Sequence, residues 1–297
     1  MGAANVIPGV SGGTIALITG IYERIIEALR GFRPTTIKLL LQGDLKKFWQ
    51  QIDGSFLSWL FLGVGISILT LARLFEWLLK NYEKHTFGFF FGLIAVSIYF
   101  VGKAVHRWRA LEGIFLIIGT VIAVGISLMV PGSENENPFY VGLCGVAAIC
   151  SMILPGLSGS FILILMGNYT LVLEAINQFN LAVLVPLALG CGFGLLGFAQ
   201  VLGWLFQRYR DVTLATMTGF VLGSLFIIWP WKSPQQQSVV IEGEVEEWVS
   251  GYTWYLPPLD ALETWLILSL VILGGVAIVL VESLAESKSE PDRSNRQ

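Results

Sequence analysis

From Pro138 to Leu173 the chain carries no charged side chain, and in the middle of that apolar run stands Pro155-Gly156-Leu157-Ser158-Gly159-Ser160. Near the start, Pro8-Gly9-Val10-Ser11-Gly12-Gly13 repeats the same signature. Proline and glycine break a helix, and the serine that follows suits the cap of a new one. In a hydrocarbon setting each freed backbone group costs several kcal/mol unless protein, water or a ligand meets it. A chain that breaks its apolar runs twice, in the same way, must therefore build something around those breaks.

The setting is hydrocarbon. Further runs without charge lie at Phe56–Ala72, Thr86–Gly102, Gly113–Gly132, Leu181–Phe206, Val212–Trp229 and Thr264–Val281. Each can span, or nearly span, about 30 Å as a helix. Charged residues make up 13% of the chain and mean hydropathy is +0.72, whereas soluble domains carry about 25% charge. The chain reads as a multi-pass membrane protein. Its opening Met-Gly-Ala-Ala-Asn lacks a basic segment, so no cleavable signal is expected.

Lys and Arg content orients the loops. Arg24–Lys47, Lys103–Arg109, Arg208–Asp211 and the tail with Lys288, Arg293 and Arg296 read as cytoplasmic. The acidic segments Pro131–Pro138 and Pro230–Glu263 read as outside. Three crossings per half follow only if the two Pro-Gly-x-Ser-Gly runs are hairpins that enter and leave on one side.

The halves match each other. At an offset of 147, Gly20 pairs with Gly167, Tyr22 with Tyr169, Glu27 with Glu174 and Ala28 with Ala175. At an offset of 127, Gly63 pairs with Gly190, Gly65 with Gly192, Trp77 with Trp204 and Tyr82 with Tyr209. Gly92 with Gly219 and Ser97 with Ser224 continue that register. The expected fold is an all-α polytopic membrane protein built as an inverted repeat, each half a re-entrant helical hairpin plus three transmembrane helices. The first repeat would cover residues 1–137, the second 138–285, and a polar, disordered cytoplasmic tail 286–297. Chance coincidence of abundant Gly and Trp is the competing explanation.

The change of offset marks extra residues in the first half, within Arg30–Ser55. There Ile37, Leu40, Leu41, Leu45, Phe48 and Trp49 recur at helical spacing among Lys38, Lys46 and Lys47. That pattern suits an interfacial segment over residues 30–55, or equally a short helix packed under the bundle. The loop Trp231–Glu263, with Trp248, Tyr252, Trp254 and Tyr255, suits the outer headgroup level. Cys144, Cys150 and Cys191 sit in apolar runs and read as small packing residues.

After each break a half-helix begins, presenting free N–H donors and a partial positive charge. Pro8, Gly9, Ser11, Gly12, Gly13 and Thr14, with Pro155, Gly156, Ser158, Gly159 and Ser160, thus form a candidate anion site without a cation. Asn5, Tyr22, Glu27, Tyr169 and Glu174 are candidates for gating or for anchoring at the interface, the two tyrosines chiefly as anchors. The bland alternative is that Gly and Ser merely permit close helix packing. No carboxylate or histidine falls within the charge-free runs, which disfavours a proton relay or cation site. His85 and His106 are far apart and at run edges, and neither serine has a visible base, so an enzyme is not expected. No metal, cofactor or nucleic acid is expected either.

These residues resemble the bacterial polyprenyl-phosphate (undecaprenyl-phosphate) transporter family, of the type first catalogued as domain of unknown function 368. The resemblance rests on Asn5-Val-Ile-Pro-Gly-Val-Ser-Gly-Gly-Thr14 with Gly20-Ile-Tyr22-Glu23, and on Ile153-Leu-Pro-Gly-Leu-Ser-Gly-Ser160 with Gly167-Asn-Tyr169. It covers nearly the whole chain, although members of that family usually have more residues ahead of the first motif. It implies a multi-pass protein of the bacterial inner membrane, C-terminus cytoplasmic, that returns undecaprenyl or polyprenyl phosphate from the outer to the inner leaflet. The implied partners are that lipid and the surrounding membrane lipids, with a homo-oligomer allowed. A transporter or channel for a small soluble anion is the rival reading, and a non-transporting scaffold the third.

Overall fold

Glycine and proline decide where the helices stop. The computed structural model describes residues 1–2, 11–241 and 244–289; Asn5, Pro8 and Gly9 lie outside the described residues, as does the end of the tail. Helix α1 (Gly12–Ile18) follows the first motif and is joined to α2 (Tyr22–Arg30) at Gly20, whose φ of +70° is the left-handed conformation glycine tolerates. Two short helices follow, α3 (Pro34–Leu41) and α4 (Leu45–Gln51), in the segment expected at an interface. Leu41 and Leu45 there are 82% and 63% exposed, which suits a surface bathed in lipid rather than burial under the bundle.

Three long helices come next: α5 (Gly54–Asn81), α6 (Glu83–Lys103) and α7 (Ala110–Ser127). The second motif separates α8 (Pro138–Ile153) from α9 (Gly159–Leu165), and α10 (Tyr169–Gln178) follows at a bend of 111°. Helix α11 (Leu181–Ser224) and helix α12 (Leu262–Ser289) complete the bundle. Among the described residues five helices are long and apolar enough to cross a membrane: α5, α6, α7, α11 and α12. The fold is that of a helical, multi-pass membrane protein. Helix α11 is two arms joined at Tyr209, whose φ of −137° and ψ of 48° are not helical.

Several residues that pair at the two sequence offsets share local geometry. Tyr82, between α5 and α6, adopts φ −139° and ψ 46°, nearly the values at Tyr209. Thr86 Oγ1 donates to the Tyr82 carbonyl at 2.9 Å, and Thr213 Oγ1 to that of Tyr209 at 2.8 Å. Trp77 packs on Tyr82 with ring centroids 5.5 Å apart, Trp204 on Tyr209 at 5.8 Å. Gly20 and Gly167 share the left-handed conformation at +70° and +76°.

Packing then crosses between the halves. Helix α6 lies along α12, and α7 along the second arm of α11. Small residues allow it: side chains at Gly92 and Gly274 would strike the backbone of Val271 and Phe89, and those at Gly119 and Gly219 the backbone of Thr216 and Leu116. The first arm of α11 packs on α8 by the same means, Gly145 and Gly190 facing the Leu187 and Gly142 carbonyls.

Two stretches depart from expectation. The acidic loop contains strands β1 (Lys232–Ile241) and β2 (Glu244–Trp254), paired antiparallel with Lys232 opposite Trp254. Their stem is tied to the bundle, Trp254 Nε1 donating to the Phe226 carbonyl at 3.0 Å and Trp229 Nε1 to that of Tyr255 at 3.1 Å. Aromatic rings of this loop hold the hairpin to the bundle, and the side chain of Trp248 is outside what is described. Helix α12 also runs on through Glu286 to Ser289, into the stretch expected as a disordered tail. The three cysteines are unpaired and Cys144 is fully buried.

Candidate functional site

Helix α8 ends because Leu154 is extended, as a residue before proline prefers, and Pro155 has no N–H to offer. Gly156 then turns at φ +83°, so close to α11 that a Cβ would sit 2.5 Å from the Phe220 carbonyl oxygen. Ser158 takes the N-cap conformation of α9 but makes no capping bond. Helix α9 folds back along α8. Its first residue Gly159 abuts the Ala148 carbonyl, and its end returns to α8's beginning, where Tyr140 OH donates to the Met166 carbonyl at 2.9 Å. Asn168, fully buried, holds this end to Asn135 through two bonds of 3.0 and 2.8 Å.

The first motif meets the second directly. Ser11 accepts from its own Gly13 N–H at 3.1 Å and donates to the Leu154 carbonyl at 3.3 Å. Thr14 Oγ1 accepts from the Gly156 N–H at 3.0 Å. Tyr22 OH donates to the Ile153 carbonyl at 3.1 Å. The last carbonyls of α8 thus find partners in side chains of the first motif and α2, and the amide at the Pro-Gly turn finds one in Thr14. That arrangement answers the demand for partners that a helix broken in an apolar setting creates.

The candidate residues divide accordingly. Ser158 and Ser160 face open space, their hydroxyls 2.9 Å apart, at a cavity of about 290 Å³ also lined by Ser11, Leu157, Gly159 and Cys191. Thr14 is fully buried and turned to Gly156, and Pro155 and Gly156 are buried. The two runs are therefore not equivalent: Ser11 and Thr14 are buried and bonded to the second run, whereas Ser158 and Ser160 bond to each other at the cavity. Gly12 and Gly13 line a different space, an apolar groove of about 190 Å³ between α1, α2, α5 and α8. The groove and the hydroxyl-bearing cavity share Ile149 and Met152 as a common wall, and Phe61, 61% exposed, lies at the groove's outer edge.

Tyr22 is not an interfacial anchor. It is 2% exposed, packs on Phe206 at 5.8 Å and bonds to the second break. Tyr169, at the start of α10, is half-buried, and Glu174 is exposed on the same helix. Glu27 is exposed and lines a separate polar cavity. A contact that sequence reasoning missed joins Glu23 to Arg210 Nη2 at 2.8 Å, with Arg210 Nη1 also 2.9 Å from His106 Nδ1 and Asp211 bonded to His106 at 3.1 Å. The paired charges at Tyr-Glu and Tyr-Arg in the two halves were the available signal. Among the described residues no cluster of His, Cys, Asp and Glu is arranged to hold a metal ion.

With this geometry in view, comparison with known proteins is informative. A polyprenyl-phosphate transporter of Vibrio cholerae serotype O1 is 42% identical over 294 residues, covering 96% of this chain and 94% of its own length. A polyprenyl-phosphate transporter of Staphylococcus aureus is 32% identical over 252 residues, covering 77% of this chain and 83% of its own. No solved structure matches. Both names are those of transporters and not of enzymes. The family model described as undecaprenyl phosphate translocase-like matches residues 1–245, and with these relatives it shows that the chain belongs to that family of membrane transporters.

Proposed function

We propose that the chain carries polyprenyl phosphate across the bacterial inner membrane, from the outer to the inner leaflet, and that it does so at the second break. The observation that carries this reading is the adjacency of two unlike spaces. A hydroxyl-bearing cavity at Ser158, Ser160 and Ser11 shares a wall with an apolar groove whose edge reaches exposed Phe61. A phosphate head suits the first and an isoprenoid tail the second. Moving the bare head through hydrocarbon costs tens of kcal/mol by ideal estimates, which hydroxyl and amide donors offset while the tail stays in lipid. The rival soluble anion has no use for an apolar groove open at its side.

In this reading the halves are inverted repeats, Arg24–Lys47 and the C-terminus are cytoplasmic, and α8–α9 is a re-entrant hairpin. The matched kinks at Tyr82 and Tyr209 and the basic loops support it. The α6–α12 and α7–α11 interlocks across the repeat boundary resist a rocking of half against half.

The test is leaflet exchange of labelled polyprenyl phosphate in vesicles containing the purified protein. The double variant Ser158→Ala, Ser160→Ala should slow exchange at least about tenfold. Its stability should stay within about 0.5 kcal/mol of the parent, because both hydroxyls are accessible to solvent or lipid. Undiminished exchange would end the assignment of the head to this cavity. Uncharged polyprenol should not compete; equal competition would mean that the tail alone is recognised.

A further inference from the structure

A second polar space lies on the side of the molecule that carries the Arg24–Lys47 connection. It measures about 410 Å³ and opens between the end of α2, the start of α3, the end of α4 and α11. Arg30 and Arg33 line it together with Thr35, Thr36 and Gln51. Arg30 rests against Gly203 of α11, where any side chain would collide with the guanidinium stem, and its Nε is buried without a hydrogen-bond partner. The turn that sets the two arginines is held from both sides: Arg33 Nε and Gln200 Nε2 both donate to the Arg30 carbonyl, at 3.3 and 3.2 Å. Thr36 Oγ1 donates to Gln51 Oε1 at 2.8 Å and fixes α3 to α4. Among the described residues no side chain caps the start of α3, which opens into the same region.

Among the described residues, neither guanidinium has a carboxylate within ion-pair distance. Two arginine forks without counter-charge, beside an uncapped helix start, are suited to a compact dianion that accepts several hydrogen bonds. Glu27 also lines the cavity, exposed and unpaired with either arginine, so the local balance is two positive charges against one negative. That carboxylate weakens the hold on an anion without reversing its sign. Leu41, Leu45 and Trp49 are exposed on α3 and α4, which suits helices resting on a bilayer surface, so a lipid headgroup can reach the cavity while its tail remains in the leaflet.

The geometry points to a phosphate-monoester binding site at Arg30 and Arg33, separate from the Ser158–Ser160 cavity, that holds the headgroup on the Arg24–Lys47 side of the protein. The chemistry recognised is the phosphate monoester itself. Its assignment to a lipid rests on the transport reading above, and free phosphate is the other source.

Site-resolved modification tests it. The full chain in detergent is treated with phenylglyoxal, and labelling of each arginine is read by peptide mass spectrometry in the presence of inorganic phosphate, a C20 prenyl monophosphate or the corresponding prenol. Labelling of Arg30 and Arg33 should slow with both phosphates and not with the alcohol, while exposed Arg24 is unaffected. Greater protection by the prenyl phosphate identifies the lipid as the source, and equal protection identifies free phosphate. Arg33→Gln should weaken protection of Arg30 about tenfold, equivalent to about 1.4 kcal/mol. Glu27→Gln should strengthen it. Both side chains are exposed, so these variants decide the matter even if Arg30→Gln does not fold. The Ser158→Ala, Ser160→Ala protein should keep this protection whether or not it transports, which separates this site from the break. Protection by neither phosphate, protection by the alcohol alone, or unaltered protection in both Arg33→Gln and Glu27→Gln would overturn the assignment.

Discussion

Thr14 shows how a single hydroxyl can tie the two halves of the chain together. Its Oγ1 is the partner of the Gly156 amide, and both residues are buried. Thr14→Val keeps the shape and leaves that amide unpaired, which should lower stability by about 1–3 kcal/mol; Thr14→Ser should recover most of it. Thermal unfolding in detergent measures the difference. Gly156→Leu, by contrast, would push a side chain into the Phe220 carbonyl at a left-handed backbone position, so its loss of transport would report the fold and not the headgroup. The second Pro-Gly-x-Ser-Gly run located the break between α8 and α9, while Pro8-Gly9-Val10 of the first lies outside the described residues. Neither run said how its serine would bond, because Ser11 and Ser158 look alike until the neighbours that fill their hydrogen bonds are known. Tyr22 and Tyr169 were misleading in the same way: equal positions in sequence, one buried in the contact between breaks and the other half-buried at a helix start.

At the scale of elements, glycine spacing decides which helices touch. Gly92 brings α6 against the Val271 backbone of α12, and Gly219 brings α11 against the Leu116 backbone of α7. Gly92→Leu should separate the first pair and prevent recovery of folded protein, whereas Gly63→Leu, at a position facing open space, should be tolerated. Yield of monodisperse protein after extraction distinguishes them. The hairpin β1–β2 was unreadable as strand because its aromatic residues suit an interface as well as a sheet. Its stem holds Lys232, whose ammonium lies 4.4 Å from the Phe87 ring and 4.5 Å from that of Tyr252, and donates to the Ile227 carbonyl. Burial, opposed by attraction to Glu83, lowers its pKa to about 8. The unfolded chain keeps a lysine near about 10.4, so between those values it binds more protons than the folded one, and stability rises with pH across that window. The melting temperature should therefore climb from pH 8 to pH 10, and Lys232→Met should flatten that climb.

For the whole molecule, the first and second halves are complementary rather than independent. Each half leaves a glycine-lined helix face that the other covers, α6 by α12 and α7 by α11. Residues 1–130 and 131–297 expressed as separate chains should each be degraded alone and should co-purify when made together. Accumulation of either half alone would refute this dependence. The sequence paired Tyr82 with Tyr209, where both kinks stand, but three crossings per half were expected and five long apolar helices are found among the described residues, because α11 joins two charge-free runs through its kink. The exchange of partners between halves was not legible, because periodicity tells which face is small and not whose face will meet it. The Arg30–Arg33 cavity was hidden for a related reason: α2, α3 and α4 form its walls only with α11, far away in sequence.

The bonds from Thr14 to Gly156 and from Tyr22 to Ile153 have a consequence for leakage. The Ile153 and Leu154 carbonyls and the Gly156 amide, which would otherwise draw water into an apolar interior, are each met by a side chain. An anion can compete with Thr14 only for the Gly156 amide; the Ile153 carbonyl needs a donor and keeps its bond to Tyr22, so the seam holds on one side even where the other is taken.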